Sequence, residues 1–461
     1  MISPLFSLRL STGRSPWQTA AAVLAISLTF CAERARAATS WDGKAAAEYV
    51  LSVFPDRPEA IYKKGETVTF QIDLQHNKQP ATEGSVDWKI SKDEVAPPIQ
   101  TGTAKLENGK AVITGKLDEP GILHCEVIYK QDKTLFKAMA GAAFDVTELK
   151  PSLPVPDDFD AFWAAKKKEI AAVPLNAKLT PVPLPPNRDG VETFAYQADS
   201  IGGPSTGFYG RPLGAKPKSL PALIFVPGAG VRSANLDAAA GWAKSGMLLM
   251  DLNAHAIPNG ESKEFYAGLD AGELKDYRTR GRESRDTYYF LGVYDRILQA
   301  MRFLTEQPEW DGKTLIVAGV SQGGGLAIAT AALEPRTSYL IAFVPGLCDH
   351  SGMLANRIAG WPKAVLKGAD GQPDPKILEA MRYYDSANFA TRVKAPAHVE
   401  IGFLDVTCPA TSSYTAYNNL PGKKEVVNHP NNGHDLGLQV WSDMRKLVLA
   451  HIAEQSKTPA P

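Results

Sequence analysis

The clearest indication of the fold is the sequence Thr314-Leu-Ile-Val-Ala-Gly-Val-Ser-Gln-Gly-Gly-Gly-Leu-Ala-Ile-Ala-Thr-Ala-Ala332. It begins as a short apolar run that is typical of a buried strand, and it ends as an alanine-rich run that favours a helix. Between the two runs stands Gly319-Val-Ser-Gln-Gly323. Glycines flank a serine in this way where a strand turns so sharply into a helix that a β-carbon would clash. The stretch therefore predicts a strand–turn–helix unit that presents the hydroxyl of Ser321.

Apolar runs elsewhere in the chain indicate a mostly parallel sheet around this unit. They alternate with segments of helical spacing, including a crossover helix predicted over 286–304, as in a sheet covered by helices on both faces. We therefore predict an α/β domain over 188–455, preceded by a linker over 150–187 with a helix at 159–173, and followed by a disordered tail over 456–461. The predicted strands span 222–226, 247–250, 314–318, 340–344, 397–401 and 424–427.

Ser321 needs partners further along the chain if it is a nucleophile. A serine hydroxyl reacts weakly without a base, and the base needs an acid to orient it. Asp405 follows the strand predicted at 397–401, and His434 follows the polar loop after the strand predicted at 424–427. The order Ser321, Asp405, His434 is that of the α/β-hydrolase fold. The sequence therefore predicts the nucleophile, the acid and the base in these three residues.

Other residues compete for the roles of base and acid. His429 is an alternative to His434, but it lies nearer the strand and precedes a proline. The competing acids are Asp349, Asp385 and Asp435. Asp435 neighbours the predicted base in sequence, and the other two lie outside the late loop where the fold places its acid.

The predicted site also needs two backbone N–H groups for the oxyanion that forms when the serine attacks. One is expected from Gln322, and the other from Ala229 in the turn Pro227-Gly228-Ala229-Gly230. His255, at the end of the following strand, is a candidate for lining the acyl or leaving-group pocket. The alternative is a histidine that only makes structural hydrogen bonds.

The first 37 residues have the layout of a secretory signal peptide. Arg9 and Arg14 precede an apolar run over 20–32, and small residues occupy Ala35 and Ala37 at a cleavage site. The run is shorter than the roughly 20 residues that a transmembrane helix needs. We expect cleavage after Ala37, export to the periplasm or the exterior, and no stable membrane span.

Composition excludes several classes of protein. Lys+Arg 50 equals Asp+Glu 50, so the chain of 461 residues lacks the basic excess of a nucleic-acid binder. A hydrophobic fraction of 44% supports folded domains rather than disorder. Loss of the signal removes four arginines and one glutamate, which changes the formal net charge from +0 to −3. The remaining cysteines, which we expect to be buried, are Cys125, Cys348 and Cys408.

Residues 41–149 are predicted to form an immunoglobulin-like β-sandwich. Three runs alternate apolar and polar side chains and are separated by turns that contain glycine. Trp88 followed by Cys125 is similar to the immunoglobulin core, although no second cysteine is present to form its disulfide. We expect this domain to bind, to space or to oligomerise. The alternating runs span 66–74, 85–90 and 122–129.

The chain resembles the acetyl xylan esterases and cephalosporin-C deacetylases from residue 159 to about residue 447. The resemblance implies an α/β-hydrolase that deacetylates acetylated xylo-oligosaccharides and small acetate esters without a metal or organic cofactor. It implies Ser321 as nucleophile, His434 as base and Asp405 as acid, with N–H groups from Gln322 and Ala229. The motifs that carry it are Arg285-Asp-Thr-Tyr-Tyr289, Gly319-Val-Ser-Gln-Gly-Gly-Gly325, Val344-Pro-Gly-Leu-Cys-Asp349, Asp405-Val-Thr-Cys-Pro409 and Asn432-Gly-His-Asp435.

Two positions depart from the family pattern. The Arg-Gly-Gln that relatives carry after the second hydrolase strand is replaced here by Asp251-Leu-Asn-Ala-His255, and Ala229 stands where relatives often have tyrosine. The alternatives to an acetyl esterase are an esterase or peptidase of the same fold with another acyl preference, or a carbohydrate-binding protein with a degenerate site. A homo-oligomer is compatible with the resemblance.

Overall fold

The computed structural model describes residues 49–93 and 97–457. The predicted signal peptide and the last four residues of the predicted tail lie outside these residues. Within them, the strands form three sheets of four, five and nine strands. No helix of the described part is long and apolar enough to cross a membrane.

The N-terminal part consists of two mostly antiparallel sheets. The first has the order β1-β3-β4 with β7 paired to β3, and the second has the order β2-β9-β8-β5-β6. Alternate residues of β3, namely Phe70, Ile72 and Leu74, are buried in the core, as the alternation of its sequence predicted. An immunoglobulin-like topology stays a prediction. The strands are β1 Tyr49–Pro55, β2 Ile61–Tyr62, β3 Val68–His76, β4 Gln79–Pro80, β5 Ser85–Lys92, β6 Gln100–Lys105, β7 Lys110–Gly115, β8 Gly121–Gln131 and β9 Thr134–Phe144.

The C-terminal part is built on the sheet of nine strands. Its order is β10-β11-β12-β14-β13-β15-β16-β17-β18. The six strands β13 to β18 pair in parallel, and β10, β11 and β12 add an antiparallel edge. Its strands are β10 Lys178–Pro181, β11 Val191–Ala198, β12 Ser205–Pro212, β13 Leu220–Val226, β14 Leu248–Leu252, β15 Trp310–Val320, β16 Tyr339–Phe343, β17 Ala397–Gly402 and β18 Lys424–His429.

The antiparallel edge differs from the sequence-based expectation. The strand β10 lies inside the segment interpreted as a linker, yet it is hydrogen-bonded into the sheet through Lys178 to Pro181. The strand β12 is buried over most of its length although it begins with Ser205, Thr206 and Gly207. Small and polar residues of this kind produce no apolar run, which is why the pattern that revealed β13 to β18 did not reveal this edge.

Helices cover both faces of the large sheet. The crossover helix predicted at 286–304 is present as α4, with Phe290, Val293 and Ile297 buried. The helix that precedes the sheet buries Trp163 against the aromatic rings of Tyr294 and Phe389. The helices are α1 Phe159–Ala172, α2 Leu236–Ala243, α3 Lys263–Ala271, α4 Tyr289–Glu306, α5 Gln322–Leu333, α6 Pro375–Arg382, α7 Ser386–Ala390, α8 Ala410–Asn419 and α9 Gln439–Gln455.

The turn from β15 to α5 confirms the role predicted for its glycines. Ser321 has φ 62° and ψ −126°, a conformation that residues with side chains rarely adopt. A β-carbon on Gly319 would lie 2.2 Å from the carbonyl oxygen of Gly323, and one on Gly323 would lie 2.3 Å from that of Val226. The strand and the helix therefore cross at a distance that only glycine permits.

This crossing can be tested with Gly323→Ala. The added methyl group meets backbone that cannot move aside, so the free energy of unfolding should fall by roughly 1–3 kcal/mol. Gly268→Ala is the matched control, because Gly268 lies in α3 with open space around its Cα. That substitution should leave stability unchanged or raise it by up to about 1 kcal/mol. Equal effects in chemical denaturation would contradict the account of the turn.

Candidate active site

The residues singled out from the sequence meet at one edge of the large sheet. Ser321 follows β15, Asp405 follows β17 and His434 follows β18. The turn that contains Ala229 follows β13, and His255 follows β14. All five strands run parallel, so their carboxyl ends bring these residues together, as is usual for ligand sites of α/β sheets.

A chain of two hydrogen bonds joins Ser321, His434 and Asp405. Nε2 of His434 lies 2.8 Å from Oγ of Ser321, and Nδ1 lies 2.7 Å from Oδ2 of Asp405. A carboxylate only accepts, so Nδ1–H donates to Asp405 and Nε2 is left to accept from the serine hydroxyl. The side chain of Asp405 is 1% exposed and that of His434 is 34% exposed. The acid is thus enclosed, and the imidazole borders the open side of the site.

The carboxylate of Asp405 is fixed by its own loop. Its Oδ1 accepts hydrogen bonds of 2.8 Å from the backbone N–H groups of Thr407 and Cys408. Oδ2 is thereby directed at His434. Cys408 is also close to Ser321, and burial raises the pKa of its thiol well above the usual value. Like Cys125 and Cys348, it is buried, as predicted, and it is unbridged.

The competing residues have other partners. His429 is hydrogen-bonded through Nε2 to Oε2 of Glu400 at 2.8 Å, and it makes no recorded bond to Ser321 among the described residues. Asp435 accepts from the backbone of its own turn, at Gly437. Asp385 accepts three backbone N–H groups, and burial raises its pKa to about 7. The structure therefore joins His434 and Asp405 to the serine.

The two proposed N–H donors lie after the neighbouring strands β15 and β13. Gln322 is the first residue of α5, and the N–H groups of a first helical turn have no acceptor within the helix. Ala229 lies in the neighbouring turn after β13. The hydroxyl of Tyr277 connects this turn to the start of α5, because it accepts from the N–H of Gly230 at 3.0 Å and donates to Oε1 of Gln322 at 3.1 Å.

Tyr277 was not found from the sequence. It is 1% exposed and lies between α3 and α4 without any motif around it. The side chain of Gln322 is equally enclosed, and its Nε2 donates to the carbonyl of Pro227 at 3.4 Å. These bonds fix the turn that contains Ala229 relative to the start of α5.

His255 lies behind this turn. It is 1% exposed, and its Nε2–H donates to the carbonyl of Gly230 at 3.3 Å, which leaves Nδ1 to accept from the hydroxyl of Tyr289 at 2.6 Å. Its ring meets that of Tyr277 edge to face at 4.7 Å between centroids. The structure thus shows His255 supporting the turn, and a contact between its ring and substrate stays a prediction.

One group of potential metal ligands occurs among the described residues. It comprises Asp405, Cys408 and His434, whose ligand atoms lie within 4.8 Å of one another. The nitrogen of His434 nearest to Asp405 carries a proton that points at the carboxylate, and the thiol of Cys408 is held neutral by burial. Two of the three side chains are thus engaged in a hydrogen bond with each other, and the cofactor-free activity implied by the resemblance stays a prediction.

The protonation of His255 leads to a prediction about stability. Burial lowers its pKa from the ordinary 6.5 to about 4, and the nearby Arg232, Arg280 and Arg296 add to this effect, whereas the bond to Gly230 opposes it. A depressed histidine pKa means that the stability contributed by the neutral ring is present above pH 6.5 and is lost as the pH falls toward 4.

The variant His255→Gln should therefore lose less stability than the wild type on acidification through that window. Glutamine does not titrate and can still donate to Gly230. The slope of the unfolding free energy against pH should decrease by up to about 1.4 kcal/mol per pH unit. Denaturant titrations at several pH values measure it, and parallel curves for the two proteins would refute this assignment.

Comparisons with known proteins identify the family of the chain. Residues 139–450 match the acetyl xylan esterase (AXE1) family. The acetyl esterase Axe7A of Xylanibacter ruminicola is 30% identical over 393 residues, which cover 84% of this chain and 87% of that protein.

Two solved structures are similar to about two thirds of the chain. The acetyl xylan esterase from Paenibacillus sp. R4 has a TM-score of 0.57 at 27% identity and covers 66% of this chain and 98% of its own. Acetyl xylan esterase 1 from Thermoanaerobacterium sp. JW/SL YS485 has a TM-score of 0.57 at 23% identity, covers 66% of this chain and 97% of its own, and supports the fold. The chain belongs to the acetyl xylan esterase family of carboxylic ester hydrolases, with an α/β-hydrolase fold.

Proposed function

We propose that the protein is a serine esterase in which Ser321, His434 and Asp405 act as nucleophile, base and orienting acid. The observation that carries this proposal is the hydrogen-bonded chain from Asp405 through His434 to Oγ of Ser321, with distances of 2.7 and 2.8 Å. A nucleophile and a base within hydrogen-bonding reach, with the base oriented by a third group, is the arrangement that covalent acyl transfer requires.

The proposed reaction proceeds in two stages. Nε2 of His434 takes the proton of the Ser321 hydroxyl as Oγ attacks the ester carbonyl, and the imidazolium is stabilised by Asp405. The negative charge on the carbonyl oxygen is met by the N–H groups of Gln322 and Ala229. His434 then gives its proton to the departing alcohol, and a water molecule, deprotonated by the same imidazole, releases the acid from Ser321.

We propose acetyl groups on xylo-oligosaccharides and other small acetate esters as the substrates. Membership of the acetyl xylan esterase family supports this class, as does the relative named acetyl esterase. The surroundings of Ser321 are compatible with a small acyl group. The carbonyl of Ser321 accepts the N–H of Gly346 at 2.9 Å, and the half-buried ring of Trp361 covers Gly346 so closely that a β-carbon there would lie 3.2 Å from it.

The nucleophile is tested by Ser321→Ala. Because the proposed acyl-enzyme forms on Oγ of Ser321, kcat/KM for p-nitrophenyl acetate should fall by at least about 10⁴-fold. Release of acetate from acetylated xylo-oligosaccharides should fall in parallel. Ser219→Ala is a control, since Ser219 is exposed in the loop before β13, and it should change both rates by less than about twofold. Substantial activity in Ser321→Ala would exclude the proposed mechanism.

The limit on acyl size is tested by Trp361→Ala. Removal of the ring should open space beside Ser321, and the ratio of butyrate to acetate turnover with p-nitrophenyl esters should rise at least about tenfold. Trp310→Ala, at the opposite end of β15, should leave this ratio unchanged. If the Trp361 variant keeps the wild-type ratio, Trp361 does not set acyl size.

A further inference from the structure

The N-terminal sheets lie directly against the two loops that contain Asp405 and His434. Nε2 of His124, in β8, is 2.7 Å from the carbonyl oxygen of Phe403. A carbonyl only accepts, so this nitrogen carries the proton and donates. His124 is 2% exposed and Phe403 is fully buried. A buried hydrogen bond thus joins the second N-terminal sheet to the acid loop, two residues before Asp405.

Gly141 brings the neighbouring strand β9 against both loops. Its N–H donates to the carbonyl of Pro430 at 2.7 Å, in the loop that leads to His434. A β-carbon on Gly141 would lie 2.6 Å from Cβ of Phe403, closer than two carbon atoms approach each other in a packed interior. Only glycine lets the strand sit at this distance from the acid loop.

Asn431 attaches the base loop to both N-terminal sheets. Its Nδ2 donates to the carbonyl of Val53 at 2.8 Å and to that of Met139 at 3.0 Å. Val53 belongs to β1 in the first sheet, and Met139 belongs to β9 in the second. The loop is therefore hydrogen-bonded to both N-terminal sheets at Asn431, three residues before His434.

The two loops are also bonded to each other. The N–H of Phe403 donates to the carbonyl of His429 at 3.0 Å, and the N–H of Leu404 donates to that of Asn432 at 3.0 Å. The acid and the base thus lie on paired segments, and the N-terminal sheets contact both of these segments. A shift of either segment changes the distance between Asp405 and His434.

We propose that the N-terminal β segment is a structural part of the active site and that His124 is a positioning residue for Asp405, acting through the carbonyl of Phe403. This inference rests on the roles proposed for Asp405 and His434. It gives the segment a task other than the binding, spacing or oligomerisation expected from its sequence. The physical reason is geometric, since a misplacement of about 1 Å in a catalytic group can cost about 100-fold in rate.

The test compares His124→Phe with His124→Gln in the full-length protein. Phenylalanine fills the space but cannot donate, whereas the Gln amide reaches the position of Nε2 and can donate to Phe403. His124→Phe should lower kcat for p-nitrophenyl acetate about 10- to 100-fold with KM little changed, and His124→Gln should recover most of it. His76→Phe, in β3 of the first sheet, should behave as wild type.

A second pair of variants tests the contact without removing a hydrogen-bonding side chain. Gly141→Ala inserts a methyl group between β9 and Phe403 and should lower kcat by a similar factor. Gly121→Ala is its control, because Gly121 lies in β8 and the atom nearest to an added methyl group would be the flexible Cε of Lys92, at 3.2 Å, rather than backbone or Phe403. Rates are expressed per active site titrated with a fluorophosphonate, so that unfolded molecules do not contribute.

The outcomes separate this inference from the proposed function. Loss of kcat in His124→Phe and Gly141→Ala, with recovery in His124→Gln, supports it. Wild-type kcat in both variants while Ser321→Ala is inactive overturns the inference and leaves the proposed function intact. A His124→Gln variant as slow as His124→Phe overturns the role assigned to His124. Activity in Ser321→Ala overturns the proposed function itself.

Discussion

The close approach of β15 and α5 around Ser321 is the constraint on which the rest of the site depends. A β-carbon at Gly319 would lie 2.2 Å from the carbonyl oxygen of Gly323, and Ser321 between them is held at φ 62°. Such a backbone conformation persists only where its surroundings enforce it. The next strand does so, because the N–H of Ser321 donates to Phe343 and the N–H of Gly346 donates to Ser321, each at 2.9 Å.

The groups that face Ser321 are held from two sides. On one side, the hydroxyl of Tyr277 links the turn after β13 to Gln322. On the other, the segments before Asp405 and His434 are bonded to each other and to the N-terminal sheets. A nucleophile on a fixed turn is useful only if its base and its oxyanion donors are equally fixed. Both halves of the described chain contribute to that requirement.

The sequence predicted the features that depend on local pattern. The glycines around Ser321 predicted the tight turn. The predicted strands that precede Asp405 and His434 are present as β17 and β18, which bring the two residues together. Contacts between distant segments left no such pattern. His124 and Phe403 are 279 positions apart, and Tyr277 joins Gly230 to Gln322 from a stretch without a motif. The strand β12 was missed because its small polar residues do not resemble a buried strand.

The proposed roles of Ser321 and its two N–H donors are tested most directly by a crystal structure of the protein inactivated with a small organophosphate. We expect a single covalent adduct on Oγ of Ser321, with the phosphoryl oxygen about 2.7–3.1 Å from the backbone nitrogens of Gln322 and Ala229 and His434 still bonded to Asp405. An adduct on another residue, or a phosphoryl oxygen directed away from both nitrogens, would contradict it.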